Sequence, residues 1–123
     1  DVTGFGLAGH LLEICRGSHL QARISMREVP LIPGVRELAE RGFATGASGR
    51  NWAGYGAEVR LGEGVGELER TLLTDPQTSG GLLVSCDPAS VDEVLEVFRR
   101  DGFEAAAVIG ELAMGAPGVT VLA

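Results

Sequence analysis

Glycine divides this chain into short segments. It accounts for 19 of the 123 residues, roughly twice its usual share in proteins. The glycines are concentrated in an opening turn at residues 1–6, in a passage at 42–66 and in a pair at 80–81. Others follow helical patterns, where glycine commonly ends a helix. Together with the chain length, this spacing favours one globular domain built from short elements around a single core.

Four segments have the apolar spacing of helices with one buried face. They cover residues 5–16, ended by Gly17, then 34–41, ended by Gly42, then 66–73, and finally a helix that runs to about 101 and ends at Gly102. The last helix has the clearest start, because Asp87 and Pro88 are typical of the N-cap and first turn. The glycine-rich passage 42–66 is predicted to be an irregular functional loop.

Four other segments are predicted as strands. Residues 20–26 alternate apolar and polar side chains, which is typical of a half-buried strand. The other three strands are expected at 81–86, about 104–109 and 118–122. The pattern predicts an α+β fold, an α/β sandwich with helices packed on a small mixed or antiparallel sheet. Antiparallel pairing is favoured because most connections do not repeat as simple βαβ units.

The charge balance excludes several classes of function. Seventeen acidic residues against ten arginines give a net charge of −7, so this surface should repel a nucleic-acid backbone. The absence of lysine excludes Schiff-base chemistry and a Walker-type phosphate clamp. No apolar run approaches the ~20 residues that span a bilayer. Cys15 and Cys86 both follow apolar residues and are interpreted as core cysteines of a cytoplasmic protein.

The first candidate for a functional site is Asp1 with the glycine turn D-V-T-G-F-G before the first helix. Backbone amides at a helix start favour anions, and Gly4 and Gly6 would let a phosphate approach the main chain. The Asp1 carboxylate could hold a magnesium ion that bridges to phosphate oxygens. The alternative is a plain turn into a helix, with an aspartate near its positive end.

Two further loops carry polar groups suited to a ligand. The first is D-P-Q-T-S-G-G at 75–81, with Asp75, Thr78 and Ser79 as polar partners; it could equally be an ordinary turn. In the second, G-A-S-G-R-N at 46–51, Arg50 could make a forked contact to phosphate or remain solvated. No nucleophile–base pair is evident.

The remaining polar residues are predicted to have no functional role. His10 and His19 are interpreted as core or surface histidines, because neither has a carboxylate or cysteine at ligand spacing. The acidic run is interpreted as a solvated helix face; it consists of Glu63, Glu67 and Glu69.

Several motifs, taken in order, resemble those of selenophosphate synthetases (selenide, water dikinases). They are D-V-T-G-F-G-L-A-G-H-L-L at 1–12, V-P-L-I-P-G at 29–34, G-R-N at 49–51, L-T-D-P-Q-T-S-G-G-L-L at 73–83 and A-V-I-G-E at 107–111. The D-P-Q-T-S-G-G motif is shared with relatives of aminoimidazole-ribonucleotide synthetase. The opening motif and the Arg50-Asn51 block resemble the selenium branch.

The resemblance implies that residues 1–123 are the single C-terminal domain of a longer two-domain enzyme, as the start at Asp1 also suggests. This domain would be an α/β sandwich like that of aminoimidazole-ribonucleotide synthetase. The family converts selenide, ATP and water to selenophosphate, AMP and phosphate with magnesium. Its catalytic cysteine or selenocysteine and its essential lysine lie in the N-terminal half, so no catalytic residue is expected in this chain.

The resemblance further implies a partial site in this chain. Asp1 corresponds to a metal ligand of the family. The residues expected next to nucleotide or phosphate are Thr3, Gly4, Gly6, Arg50, Asn51, Asp75, Thr78, Ser79 and Gly80. Mg²⁺ and ATP are expected to bind the full-length protein and not to bind the fragment tightly. Its partners would be the N-terminal domain, a second copy in a homodimer, and selenide as substrate, with no nucleic acid and no membrane.

Two alternatives remain open from the sequence. The chain could belong to another enzyme of the superfamily, such as a ring-closing purine synthetase or a thiamine-monophosphate kinase. It could also be a non-catalytic packing or assembly domain whose loops bind nothing.

Overall fold

The computed structural model describes all residues from Asp1 to Ala123. It contains five α-helices and four β-strands. The helices are α1 (Gly6–Ser18), α2 (Val35–Glu40), α3 (Gly46–Tyr55), α4 (Glu67–Thr74) and α5 (Val91–Arg100). The strands are β1 (Leu20–Ser25), β2 (Val59–Leu61), β3 (Gly110–Met114) and β4 (Gly118–Leu122). Short 3₁₀ helices lie at Met26–Glu28, Gly56–Glu58 and Pro88–Ser90.

The four strands form one mixed sheet in the order β2-β4-β1-β3. Strand β1 pairs antiparallel with β3 on one side and parallel with β4 on the other, and β4 also pairs parallel with β2. The preference for antiparallel pairing was therefore wrong for two of the three strand pairs. Long helical connections separate β1, β2 and β4 in the chain, and such connections allow strands to align in parallel. The predicted α+β class is confirmed.

One face of the sheet is buried and the other faces solvent. The alternation predicted for β1 is confirmed, because Ala22 and Ile24 point into the core while Gln21 and Arg23 are exposed. Strand β4 contributes Val119 and Val121 to the same face in the same way. The domain is therefore a two-layer sandwich in which α1 packs against a single face of the sheet.

Helix α1 covers the buried face. Leu12 and Cys15 are fully buried there, which confirms the prediction for this cysteine. Helices α3 and α4 flank α1, and Leu73 of α4 is also buried. Gly9 lets α3 approach closely, since a β-carbon at this position would lie 2.8 Å from Cε2 of Tyr55. No helix of the molecule combines the length and the apolar character needed to cross a membrane.

The glycine-rich passage 42–66 is more regular than the sequence indicates. It contains helix α3 and strand β2, so the prediction of an irregular loop was wrong. The intrinsic cost of glycine in a helix is about 1 kcal/mol per residue, but α3 is held by tertiary contacts. Ser48 is buried and its hydroxyl lies 2.5 Å from that of Thr74 in α4.

Two of the predicted strands are absent. Residues 81–86 and 104–109 have no regular secondary structure, and β3 begins only at Gly110. Their composition suits a strand, but a strand forms only where a neighbour supplies backbone partners. Residues 110–114 occupy the position beside β1, whereas 81–86 lies outside the sheet.

Three smaller predictions were also wrong. Helix α1 continues through Gly17 to Ser18, and the chain turns instead at His19, whose φ is 57°. Cys86 is exposed, because the segment that carries it does not enter the core. Glu69 is not simply solvated: it accepts hydrogen bonds from the Gly66 amide and from the guanidinium of Arg36. The predicted ends of α2 and α5, at residues 42 and 102, are confirmed.

Candidate functional site

The opening turn lies against the loop at 75–81, so two of the predicted site segments are adjacent. The amide of Val2 donates to the carbonyl of Gly81 at 2.9 Å, and the amide of Gln77 donates to the carbonyl of Thr3 at 3.1 Å. The Val2 side chain is buried, whereas Asp1 and Thr3 are exposed. The Asp1 and Thr3 side chains are therefore accessible from outside the turn.

Two predicted glycines are needed for this close approach. Gly6 has φ of 72°, and a β-carbon there would lie 2.8 Å from the carbonyl oxygen of Leu73. A β-carbon at Gly80 would overlap the carbonyl oxygen of Val2. Both glycines are thus explained by contacts within the chain itself, and their predicted contact with phosphate stays a prediction. Gly4 has no atom near its missing β-carbon.

Asn51 connects the third predicted segment to the other two. Its side-chain amide donates to the carbonyl of Gly4 at 2.8 Å and to the carbonyl of Thr74 at 2.9 Å. The helix that carries it, α3, therefore fixes the opening turn against the start of the 75–81 loop. The structure brings together all three segments singled out in the sequence, although they are far apart in the chain.

Arg50 takes no part in the hydrogen bonds of this junction. It is exposed and makes no ion pair within the chain, in contrast to Arg16, which pairs with Glu58. A shallow groove of about 240 Å³ runs beside it between α1 and α3. The groove is lined by Phe5, Gly9, Glu13, Arg16, Arg50, Asn51, Gly54 and Tyr55.

The polar residues of the 75–81 loop differ in burial. Asp75 is half-buried, and this burial raises the pKa of its carboxyl because the charged form loses hydration. Thr78, Ser79 and Gly80 are exposed. The Thr78 and Ser79 side chains are free to meet a ligand, whereas the Asp75 carboxyl lies where ionisation is disfavoured.

The chain offers only part of a metal site. No three histidine, cysteine or acidic residues come together anywhere in the molecule. Magnesium, however, is commonly held by one or two carboxylates together with water and substrate phosphates. Asp1 is exposed and takes no part in an ion pair. Its carboxylate is therefore free to act as one ligand of such an ion.

The sequence interpretation missed His10. Its Nε2 lies 2.8 Å from the hydroxyl of Thr3, and its Nδ1 lies 3.2 Å from Oε2 of Glu13. No hydrogen-bond partner was predicted for His10 from the sequence, although Glu13 follows it by three positions on α1. This spacing brings side chains together on a helix and was visible in the sequence. Tyr55 was also missed; its hydroxyl donates to the carbonyl of Phe5, and burial raises its pKa to about 12.

Comparison with known proteins identifies the class. Residues 1–121 match the family described as AIR synthase related protein, C-terminal domain, and the chain belongs to this family. Selenide, water dikinase of Dechloromonas aromatica (strain RCB) is 57% identical over 122 residues, which are 99% of this chain and 35% of that protein. These matches confirm the resemblance seen in the sequence motifs.

Other relatives have the same name and are covered to a similar extent. Selenide, water dikinase of Burkholderia pseudomallei (strain K96243) is 59% identical over 121 residues, covering 98% of this chain and 34% of that protein. The protein of the same name from Rhizobium meliloti (strain 1021) is 47% identical over 122 residues, covering 99% and 35%. The chain thus spans about a third of the length of the curated relatives it matches.

Proposed function

We propose that this chain is the single C-terminal domain, residues 1–123, of a two-domain selenide, water dikinase. In this role it supplies one metal carboxylate and the surrounding loops to an ATP site. The full-length enzyme converts selenide, ATP and water to selenophosphate, AMP and phosphate. The observation that carries the proposal is the convergence of the opening turn, Asn51 and the 75–81 loop at one end of α1.

Each part of this convergence suits an anionic, metal-bound ligand. Asp1 contributes a hard oxygen ligand on the exposed side of the opening turn. Thr78 and Ser79 contribute hydroxyls at an exposed loop, and Arg50 contributes an unpaired guanidinium that can bind phosphate through two N–H groups. The name shared by the relatives favours ATP as the ligand, with Mg²⁺ as the ion that neutralises its phosphates.

The same reasoning assigns the chemistry to another part of the protein. Transfer of a phosphoryl group depends on cations that neutralise developing negative charge. This chain has a net charge of −7 and no lysine, so it cannot supply those cations alone. We therefore expect the isolated domain to be inactive. The partners in the proposal are the N-terminal domain, a second copy in a homodimer and selenide, and the location is cytoplasmic.

The experiment is a titration of the full-length protein that contains this chain. Mg²⁺-dependent ATP binding is measured by calorimetry, and selenophosphate formation is followed by ³¹P NMR. Asp1→Asn is expected to weaken Mg²⁺-dependent ATP binding and to lower the rate. Asp101→Asn, at an exposed position beyond α5, is the matched control and should leave both unchanged. Equal binding by the wild type and Asp1→Asn would instead favour a packing or assembly role.

A second measurement tests whether catalysis requires residues outside this chain. The 123-residue chain alone, incubated with ATP, Mg²⁺ and selenide, should form no selenophosphate. Turnover by the isolated chain would contradict the proposal, because it would require catalytic groups within these residues.

A further inference from the structure

His10 lies between two oxygen atoms at the opening of α1. Its Nε2 is 2.8 Å from Oγ1 of Thr3, and its Nδ1 is 3.2 Å from Oε2 of Glu13. The His10 side chain is 17% exposed, so most of the imidazole is enclosed. The Phe5 ring packs against it at a centroid distance of 5.8 Å. The three polar groups thus form a chain from an exposed glutamate to the turn that carries Asp1.

The direction of the protons in this chain follows from the donor and acceptor capacities of its groups. An ionised carboxylate only accepts hydrogen bonds, so Glu13 selects the proton on Nδ1 of His10. In the neutral imidazole, Nε2 then has no proton and acts as the acceptor. The Thr3 hydroxyl must therefore donate its single proton to His10. Its oxygen retains lone pairs but has no proton left for another partner.

This proton arrangement changes which ligand Thr3 can meet. An acceptor-only hydroxyl facing phosphate oxygens would place lone pairs against lone pairs, which is repulsive. The same oxygen facing a divalent cation is favourable, because magnesium takes neutral and anionic oxygen ligands. Thr3 and Asp1 are both exposed and are separated in the chain only by the buried Val2.

We propose that Thr3 faces a divalent cation as an oxygen acceptor beside Asp1, and that His10 and Glu13 are positioning residues that hold the Thr3 proton away from the ion. This inference rests on the proposed function, because it takes Asp1 as a metal ligand. From the sequence, Thr3 is placed only next to nucleotide or phosphate, whereas this inference assigns its oxygen to the cation. The hydrogen-bonded chain itself is a property of the domain, with or without nucleotide.

The first test reads the tautomer directly in the full-length protein. Histidine is labelled with ¹⁵N, and the His10 signals are assigned by their loss in His10→Gln. In its neutral form His10 should carry its ring proton on Nδ1. A proton on Nε2 would overturn the proposal, since the Thr3 hydroxyl would then be free to donate outwards.

The second test measures cation affinity without nucleotide, using Mn²⁺ as the probe and electron paramagnetic resonance to count free ion. Thr3→Val keeps the side-chain shape but removes the oxygen and should weaken Mn²⁺ binding. His10→Ala should weaken it on the order of 10-fold, the usual effect of losing a residue that orients a ligand. Thr3→Ser and His10→Gln retain the oxygen and an acceptor respectively, and should restore much of the affinity. Circular dichroism verifies that each variant is folded.

Asp1→Asn separates this inference from the proposed function. If Asp1→Asn weakens Mn²⁺ binding while Thr3→Val does not, the inference about Thr3 is overturned and the proposed metal role of Asp1 stands. If neither substitution changes Mn²⁺ binding, the proposed metal site fails as well.

Discussion

Helix α1 buries six of its 13 residues, whereas helix α5 buries none of its 10. The local sequence signals that favour a helix differ in the opposite direction: they are weak in α1 and strong in α5. Helix α1 has no side-chain cap and no acidic residue in its first turn. Helix α5 follows a turn capped by Asp87, has two acidic residues in its first turn and ends with Arg99 and Arg100. Each of these features is favourable to the helix dipole or its free amides.

The contrast extends to the regions that carry the two helices. All 19 buried residues lie within 1–74 or 119–121, and none lies between 75 and 118. Apolar side chains in that outer region, such as Leu82 and Phe103, are exposed. An amphipathic pattern therefore establishes that a helix has an apolar face, but it does not establish that the face is covered. Tertiary packing stabilises α1, and local interactions stabilise α5.

The largest expected effect comes from truncating one leucine in each helix. Leu12→Ala removes a fully buried side chain of α1 and should lower the free energy of unfolding by about 2–5 kcal/mol. Leu95→Ala, the matched change at a half-buried position of α5, should cost less than about 1 kcal/mol. Urea denaturation of the 123-residue chain measures both. Equal losses would break the comparison, because they would mean that α5 also belongs to the cooperative core.

Two adjacent glycines, Gly80 and Gly81, test how far along the 75–81 loop the contacts with the packed region extend. Gly80→Ala forces a β-carbon onto the carbonyl of Val2 and should cost about 1–3 kcal/mol. Gly81→Ala meets nothing within 4 Å and should change stability by less than about 0.5 kcal/mol. Thermal unfolding of both variants tests this difference. If Gly81→Ala proves equally destabilising, these contacts extend further along the chain.

Tyr55 tests how much a single buried hydroxyl contributes to the stability of the packed region. Tyr55→Phe removes the hydroxyl that donates to Phe5 and should cost about 1 kcal/mol at neutral pH. Burial raises the Tyr55 pKa to about 12 in the folded state, against about 10 in the unfolded chain. The unfolded state thus loses this proton first, so wild-type stability should fall as pH rises from about 10 to about 12. The measurement is unfolding free energy against pH; a parallel decline in Tyr55→Phe would contradict this assignment.

The smallest effect concerns the cap of the 3₁₀ turn that precedes α5. Asp87→Ala removes the acceptor for the Ala89 amide and should weaken this turn, and with it the start of α5, by about 0.5–2 kcal/mol. Because α5 contributes no buried residue, the global unfolding midpoint should barely move. Hydrogen exchange should accelerate at α5 amides and stay unchanged at α1 amides. A large drop in the midpoint would show that α5 is coupled to the core.

The sequence predicted the elements whose signals are local. The 3₁₀ turn that Asp87 caps before α5, the end of α5 before Gly102 and the alternation of β1 are examples. It failed where a distant partner decides the outcome. Residues 104–109 have the composition of a strand, but β1 pairs instead with 110–114, and no periodicity within a segment can reveal which residues will pair.

In the candidate site, too, the sequence shows the local features but not the contacts between distant residues. The residue types in the opening turn and the 75–81 loop were visible in the sequence, and so was the three-residue spacing of His10 and Glu13. The double contact of Asn51 to Gly4 and Thr74 was not, because it depends on how α3 packs against α4. Glycines such as Gly80 were singled out, but their packing against the chain itself appears only in the fold.

Strand β4 has a consequence for how this domain is made. It is the last strand in the chain, yet it lies inside the sheet and joins β1 to β2. Val119 and Val121 complete the core from this strand. A ribosome would have to synthesise almost the whole domain before β1 and β2 could be joined. Such long-range closure slows folding, so the sheet is completed only after the rest of the domain has left the exit tunnel.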